Sequence, residues 1–170
     1  TDTHFDNPDR KGRTATFLAK QTSQDNSIYS GIAAEEFVAI CINKNGVATV
    51  YGEYPDYNDK AFFIRMNCLE EKPEVIENNT PLTWEGSDND ALLVYEIEAR
   101  SDGSSTFDLT TWSSGSNGEW KKWSIVEGNL TETIGNAPEC SLNMIDEKAN
   151  TSVTISPNPV HETLNIKTNY

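Results

Sequence analysis

The chain is poor in positive charge, has only two histidines and contains no long apolar run. Lysine and arginine number 13 against 27 aspartates and glutamates, a formal charge of −14 over 170 residues. That deficit excludes a non-specific grip on phosphate backbones or anionic membranes, which depends on basic side chains displacing counterions. No nucleic-acid partner is expected. No apolar stretch approaches the ~20 residues that a membrane span needs, so no transmembrane segment is expected, and the first residues do not have the charged-then-apolar pattern of a secretory leader. The three cysteines, Cys41, Cys68 and Cys140, lack the paired close spacing of a zinc site. Nothing has the spacing of a phosphate loop or a metalloprotease motif, and neither metal nor cofactor is expected. Cys41 lies in "FVAICI" and reads as a buried thiol. Cys68 and Cys140 bracket a polar, tryptophan-containing segment and suit a disulfide if the protein is exported, because oxidising compartments favour such bridges.

What is present divides the chain by composition. Asp6-Asn7-Pro8-Asp9 joins good N-cap residues to a proline tolerated in a first turn, predicting a helix from about Pro8 to Lys20 with Ala15, Phe17 and Leu18 inward. The polar "QTSQDNS" should end it. Strands are predicted over 37–42 and 47–53, joined by the turn Asn43-Lys44-Asn45-Gly46, with "KAFFIRM" as a third. Residues 1–67 therefore read as part of an α/β unit. From Cys68 the runs become short and alternating, separated by Gly, Ser, Asn and Asp, as in a small antiparallel β domain over 68–140. A polar linker, 141–152, leads to 153–170, where two strands flank a Pro-Asn-Pro turn.

Several residues carry candidate chemistry. His4 can serve as a general base for a hydroxyl or thiol nucleophile. Arg10 and Arg13, three apart in the first turns of the predicted helix, sit where the helix dipole disfavours cations and so call for an anion. Either Asp2, Asp6 and Asp9 supply it locally, or a substrate carboxylate does. Residues 1–20 hold four basic and three acidic side chains, whereas the rest hold nine and 24. Glu35 and Glu36 stand at a strand entrance, as solvated carboxylates or facing a cationic group. Trp84, Trp112, Trp120 and Trp123 read as core aromatics of a β domain or as a carbohydrate platform. Asn78, Asn129 and Asn150 head glycosylation sequons. An N-terminal threonine, Thr1, can act as its own amine-assisted nucleophile, or it marks a processing boundary.

The stretch "DTHFDNPDRKGR" followed by "SGIAAEEFVAI" resembles the C-terminal half of cyanophycinases, serine peptidases related to dipeptidase E. Asp2, His4, Phe5, Arg10, Gly12 and Arg13 match one family segment, and Gly31, Ile32, Glu36 and Ala39 match a second. Together they cover about residues 1–66. The resemblance implies the C-terminal part of a three-layer flavodoxin-like, class I glutamine amidotransferase-like α/β peptidase domain, followed by the small antiparallel β domain. It makes His4 the base of a Ser-His-acid triad and places Asp2, Thr3, Arg10 and Arg13 in the substrate pocket, with Glu36 toward the guanidinium of the substrate. The family cleaves cyanophycin, a polyaspartate bearing arginine on its side chains, to aspartyl-arginine dipeptides. Thr3 stands where the family usually has glutamine and Pro8 where a further arginine is common. No Gly-x-Ser-Ala-Gly elbow exists here, so the nucleophilic serine and the triad acid are expected on an N-terminal chain or an upstream part of the same precursor.

The tail "ISPNPVHETLNIKTN" resembles the start of the C-terminal sorting domain that sends Bacteroidetes proteins through type IX secretion, with His161 incidental. The whole then reads as a secreted or cell-surface serine peptidase, incomplete alone, with the N-terminal chain, a peptide or cyanophycin substrate and the secretion machinery as partners. Two other functions fit the composition: a non-catalytic secreted β-domain binding protein, and an N-terminal threonine hydrolase using Thr1.

Overall fold

The computed structural model describes residues 1–140 apart from Asn7 and Asn26, together with the backbone of two further strands. One helix, α1 (Lys11–Asp25), accompanies ten strands in residues 1–140: β1 (Asp2–Thr3), β2 (Gly31–Ala34), β3 (Ala39–Ile42), β4 (Val47–Tyr51), β5 (Lys60–Met66), β6 (Leu92–Glu98), β7 (Thr106–Asp108), β8 (Gly115–Ser116), β9 (Gly118–Val126) and β10 (Asn129–Ile134). Six form one sheet in the order β1-β2-β5-β6-β9-β10, and four form a second in the order β3-β4-β7-β8. In the tail, β11 (Val153–Ser156) pairs antiparallel with β12 (Asn165–Thr168). The linker with Asn150, the Pro-Asn-Pro turn and His161 lie outside the described residues.

This architecture corrects the expected three-layer α/β fold. The protein is mostly β, and among the described residues only β1 and β2 pair in parallel while every other ladder is antiparallel. The six-stranded sheet draws β1, β2 and β5 from before residue 67 and β6, β9 and β10 from after it. The physical reason is visible in "KAFFIRM". A continuous apolar run marks a strand buried on both faces, as in a parallel sheet under two helical layers. Here β5 is a central antiparallel strand, and its second cover is a sheet. Phe62, Ile64 and Met66 join Ala15, Leu18 and Ala19 of α1 in one core, while Ala61 and Phe63 join Val50 and Phe107 of the smaller sheet in the other. Phe63 stacks on Phe107 at 4.3 Å and Tyr95 on Phe107 at 5.2 Å, geometry that adds about 0.5–1.5 kcal/mol per pair beyond area burial.

The helix begins three residues later than predicted and runs five further. Asp9 Oδ1 accepts the Lys11 N–H at 2.9 Å, so the capping residue is the second aspartate of the motif. At the far end Thr22, 1 % exposed, is buried against Met66, and this packing carries the helix through a polar stretch that reads as a breaker. Phe17 was expected inward and is 61 % exposed, because the buried stripe runs Ala15, Leu18, Ala19, Thr22. The β3–β4 turn follows its chemistry. Asn43 Oδ1 accepts the N–H groups of Asn45 and Val47. Gly46 takes φ +79°, and a Cβ there would meet Thr110 Cγ2 at 2.7 Å.

All four tryptophans are buried, which favours the core reading over a carbohydrate platform. Trp123 Nε1 donates to Glu132 Oε2 at 2.7 Å and Trp84 Nε1 to the Glu71 carbonyl at 2.7 Å. Cys41, expected buried, is exposed. It lies on the solvent face of β3, with the alternate residue Ile40 packed on the core. Cys68 and Cys140 are joined by a disulfide, their Cα atoms 5.6 Å apart. Beside it, the fully buried Arg65 guanidinium donates to the carbonyls of Met66, Trp112 and Cys140 and to Cys140 Sγ. Burial lowers its pKa to about 10.

Candidate functional site

The site begins at the carboxyl ends of the two parallel strands. β1 aligns Asp2 with Ala33 and Thr3 with Ala34 of β2. The chain then turns sharply at His4, whose φ of 51° is uncommon for a residue with a side chain. The turn sends Phe5 inward, where its N–H reaches the Ala34 carbonyl at 3.2 Å and its ring lies 4.9 Å from Phe62. His4 is thereby left at the surface. On the neighbouring strand the chain passes β2, places Glu36 just beyond it, and turns again at Phe37 with φ 58°. Two adjacent strand ends thus project their next side chains toward one point.

There, His4 Nδ1 lies 2.8 Å from Glu36 Oε1, with the two side chains 59 % and 35 % exposed. An ionised carboxylate only accepts, so Nδ1 carries the hydrogen and donates it, leaving the Nε2 lone pair for a proton from outside. The arrangement is a base whose tautomer and orientation are set by a carboxylate. Thr3, His4, Ala34, Glu36, Phe37 and Val38 line a depression at this point. His4 itself and Phe37, which follows Glu36, are two of eight non-glycine residues with positive φ among the described residues.

The field around the pair is negative. Burial, then Asp6 and Glu36, raise the pKa of Asp59. Burial is also the largest influence on Glu35, whose pKa is raised despite the Lys60 N–H donating to its Oε2 at 2.8 Å. Glu35 is therefore fastened to β5, and Glu36 faces the histidine.

The remaining sequence-predicted residues fall nearby but are differently engaged. Arg13 forms a two-point pair with Asp2 through Nε and Nη2, and Thr14 Oγ1 donates to Asp2 Oδ2 at 2.7 Å. Burial acts to raise the Asp2 pKa, but the hydrogen bonds from Thr14 and Arg13 outweigh it and leave it lowered. These residues satisfy one another, as the local-pairing reading anticipates. Arg10 Nη1 donates to the Thr3 carbonyl at 2.8 Å and so braces the turn that presents His4. Thr1 lines a separate depression with Asp2, Thr14, Phe17 and Gln21. Glu36, expected to face a substrate guanidinium, is the partner of His4. The two are 32 residues apart, and only the β1–β2 parallel pairing reveals their contact; recognising "GIAA" as a strand in its own right would have been the signal. Among the described residues no group of three His, Cys, Asp or Glu side chains could hold a metal ion, and no helix is long and apolar enough to cross a membrane.

No family model matches this chain, and neither a curated protein nor a solved structure matches it.

Proposed function

We propose that this chain supplies the base and its orienting carboxylate to a serine-type peptidase that cleaves cyanophycin or a related aspartyl peptide to dipeptides. The supporting observation is the His4–Glu36 contact at 2.8 Å, placed just beyond the carboxyl ends of the parallel strands β1 and β2. The nucleophilic serine comes from an N-terminal chain or segment of the same precursor, since this sequence holds no serine elbow. Glu36 takes the role of the triad acid, otherwise expected on that upstream part.

In this mechanism His4 Nε2 removes the serine proton as its oxygen attacks the scissile carbonyl. Glu36 stabilises the imidazolium that forms. His4 then protonates the leaving amine, and water hydrolyses the acyl-enzyme by the same proton route. The negative field from Asp6 and Asp59 favours a cationic side chain such as arginine near the base. The Cys68–Cys140 bridge supports export to an oxidising compartment, consistent with delivery by type IX secretion to the cell surface or medium.

The test is co-expression with the serine-bearing segment and measurement of dipeptide release from cyanophycin. His4→Ala is expected to cut the rate by about 10³-fold or more, as loss of a triad base does. Full activity of that variant in an assembled enzyme overturns the assignment.

A further inference from the structure

Arg65 is a fully buried cation that the peptidase chemistry does not use. Among the described residues no carboxylate forms an ion pair with it. Its guanidinium donates to the carbonyls of Met66, Trp112 and Cys140, and its Nη2 lies 2.9 Å from Cys140 Sγ. A cation taken out of water and given only neutral acceptors is stabilised by any anion that forms beside it. Of the atoms it touches, the sulfur is the one that can become an anion. If the Cys68–Cys140 bond breaks with its electron pair left on Cys140, a thiolate forms at the guanidinium and receives a charge-assisted hydrogen bond.

The two sulfurs also differ in access. Cys68 is exposed and lines a depression with Leu69, Asp90, Lys122 and Pro138, whereas Cys140 is half-buried and lies outside that lining. Thiol–disulfide exchange is faster at the accessible sulfur and faster when the departing thiol has the lower pKa. Both effects select attack on Cys68. The other charged groups around the bridge are Glu70 in the turn after β5, Asp88 and Asp90 before β6, Lys122 on β9, which pairs with Asp88, and Glu139. Among the described residues Arg65 is the charged group that hydrogen-bonds to a bridge sulfur.

We propose that the Cys68–Cys140 bridge is a thiol-exchange site, at which a small thiol attacks Cys68 and Cys140 departs as a thiolate held by Arg65. The incoming thiol loses its proton to solvent and its sulfur bonds to Cys68 Sγ. The Cys68–Cys140 bond breaks, and its electron pair goes to Cys140 Sγ. Attack of that thiolate on the mixed disulfide expels the small thiol and restores the bridge. A second small thiol instead completes the reduction: two small thiols become one disulfide, and the two cysteines take up two electrons and two protons. Cys68 is thus the residue that carries the reversible modification.

The experiment treats the oxidised native chain with 2-mercaptoethanol, quenches it rapidly with acid and maps the first adduct by peptide mass spectrometry, scoring Cys41 separately. The adduct is expected on Cys68 over Cys140 by roughly tenfold or more, and this preference should vanish in urea beyond the unfolding transition. In the reduced chain, with folding checked by tryptophan fluorescence, alkylation of Cys140 should titrate below the ~8.5 of an ordinary cysteine. Arg65→Met should lower the Cys68:Cys140 adduct ratio about fivefold to tenfold, and Arg65→Lys, which keeps a cation, should retain most of it. An adduct on Cys140, or one shared evenly between the two cysteines of the native chain, overturns the proposal even where Arg65→Met does not fold. A folded Arg65→Met chain with the native ratio also overturns it.

Discussion

Removing the Cys68–Cys140 bridge with the double substitution Cys68→Ser, Cys140→Ser should cost about 4 kcal/mol. The bridge closes a loop with a sequence separation of 72. In the chain-entropy treatment a loop of that size removes roughly 15 cal/mol/K from the unfolded ensemble, or about 4.4 kcal/mol at 25 °C. A second contribution has the same sign. The segment carrying Cys140 supplies two of the acceptors that surround the Arg65 guanidinium, and a buried cation that loses acceptors is more costly to keep. Urea unfolding monitored by tryptophan fluorescence reads the change, because Trp84 and Trp123 are fully buried. The midpoint should fall and the slope should steepen, because the unfolded chain without the crosslink exposes more surface, and the melting temperature should drop by roughly 10 °C for a domain of this size. A loss below about 1 kcal/mol would refute both the loop-closure arithmetic and the role given to that segment.

Two further outcomes follow from individual contacts. Glu36→Gln, with the serine-bearing segment present, should lower turnover by about 10³- to 10⁴-fold while leaving assembly intact, because an amide can hold the ring in the wrong tautomer; unchanged turnover would remove Glu36 from the mechanism. Glu132 accepts hydrogen bonds from Trp123 Nε1 and Lys11 Nζ, and although burial raises its pKa, these contacts leave it lowered. Its folded pKa lies below the unfolded one, so its contribution is complete above the unfolded value of about 4.5 and is lost as pH falls through the folded value. Glu132→Gln should therefore destabilise by about 1–2 kcal/mol at pH 7 and by much less near pH 3, measured by thermal unfolding across that range.

Local chemistry was the most legible part of the fold. The Asn43–Gly46 turn and the "KAFFIRM" strand are encoded within a few residues, by side-chain hydrogen bonds to the backbone and by a run too apolar for a surface. What covers such a strand is not local. A helix and a second sheet bury Phe62 and Phe63 equally well, and the sequence of β5 is the same in either case. The α/β expectation rests on the helix-then-strands order of residues 1–67 and on the family resemblance, and nothing in the β5 sequence speaks against it. Phe17 and Cys41 failed for a related reason: an apolar residue in an apolar neighbourhood is a good core candidate, but a one-residue change of phase in a strand, or two in a helix, turns it outward.

The site shows the same division. His4 is identifiable from sequence as an isolated base, but Asp2, Asp6 and Asp9 have equal claims on Arg10 and Arg13 there, Glu36 reads as facing a substrate cation, and the acid partner of His4 is expected on an upstream segment. Geometry separates them. Asp2 is held by Arg13 and Thr14, and Asp9 caps the helix. Glu36 reaches His4 because β1 and β2 run parallel and both chains bend at their ends. A single antiparallel pairing in place of that parallel one would carry the two side chains to opposite ends of their strands. The β1–α1–β2 crossover is thus the part of the fold on which the proposed chemistry depends. Arg10, whose guanidinium clasps the carbonyl of Thr3, acts on that chemistry by holding the first bend in place, so its loss should impair turnover through the position of His4 without weakening the rest of the sheet.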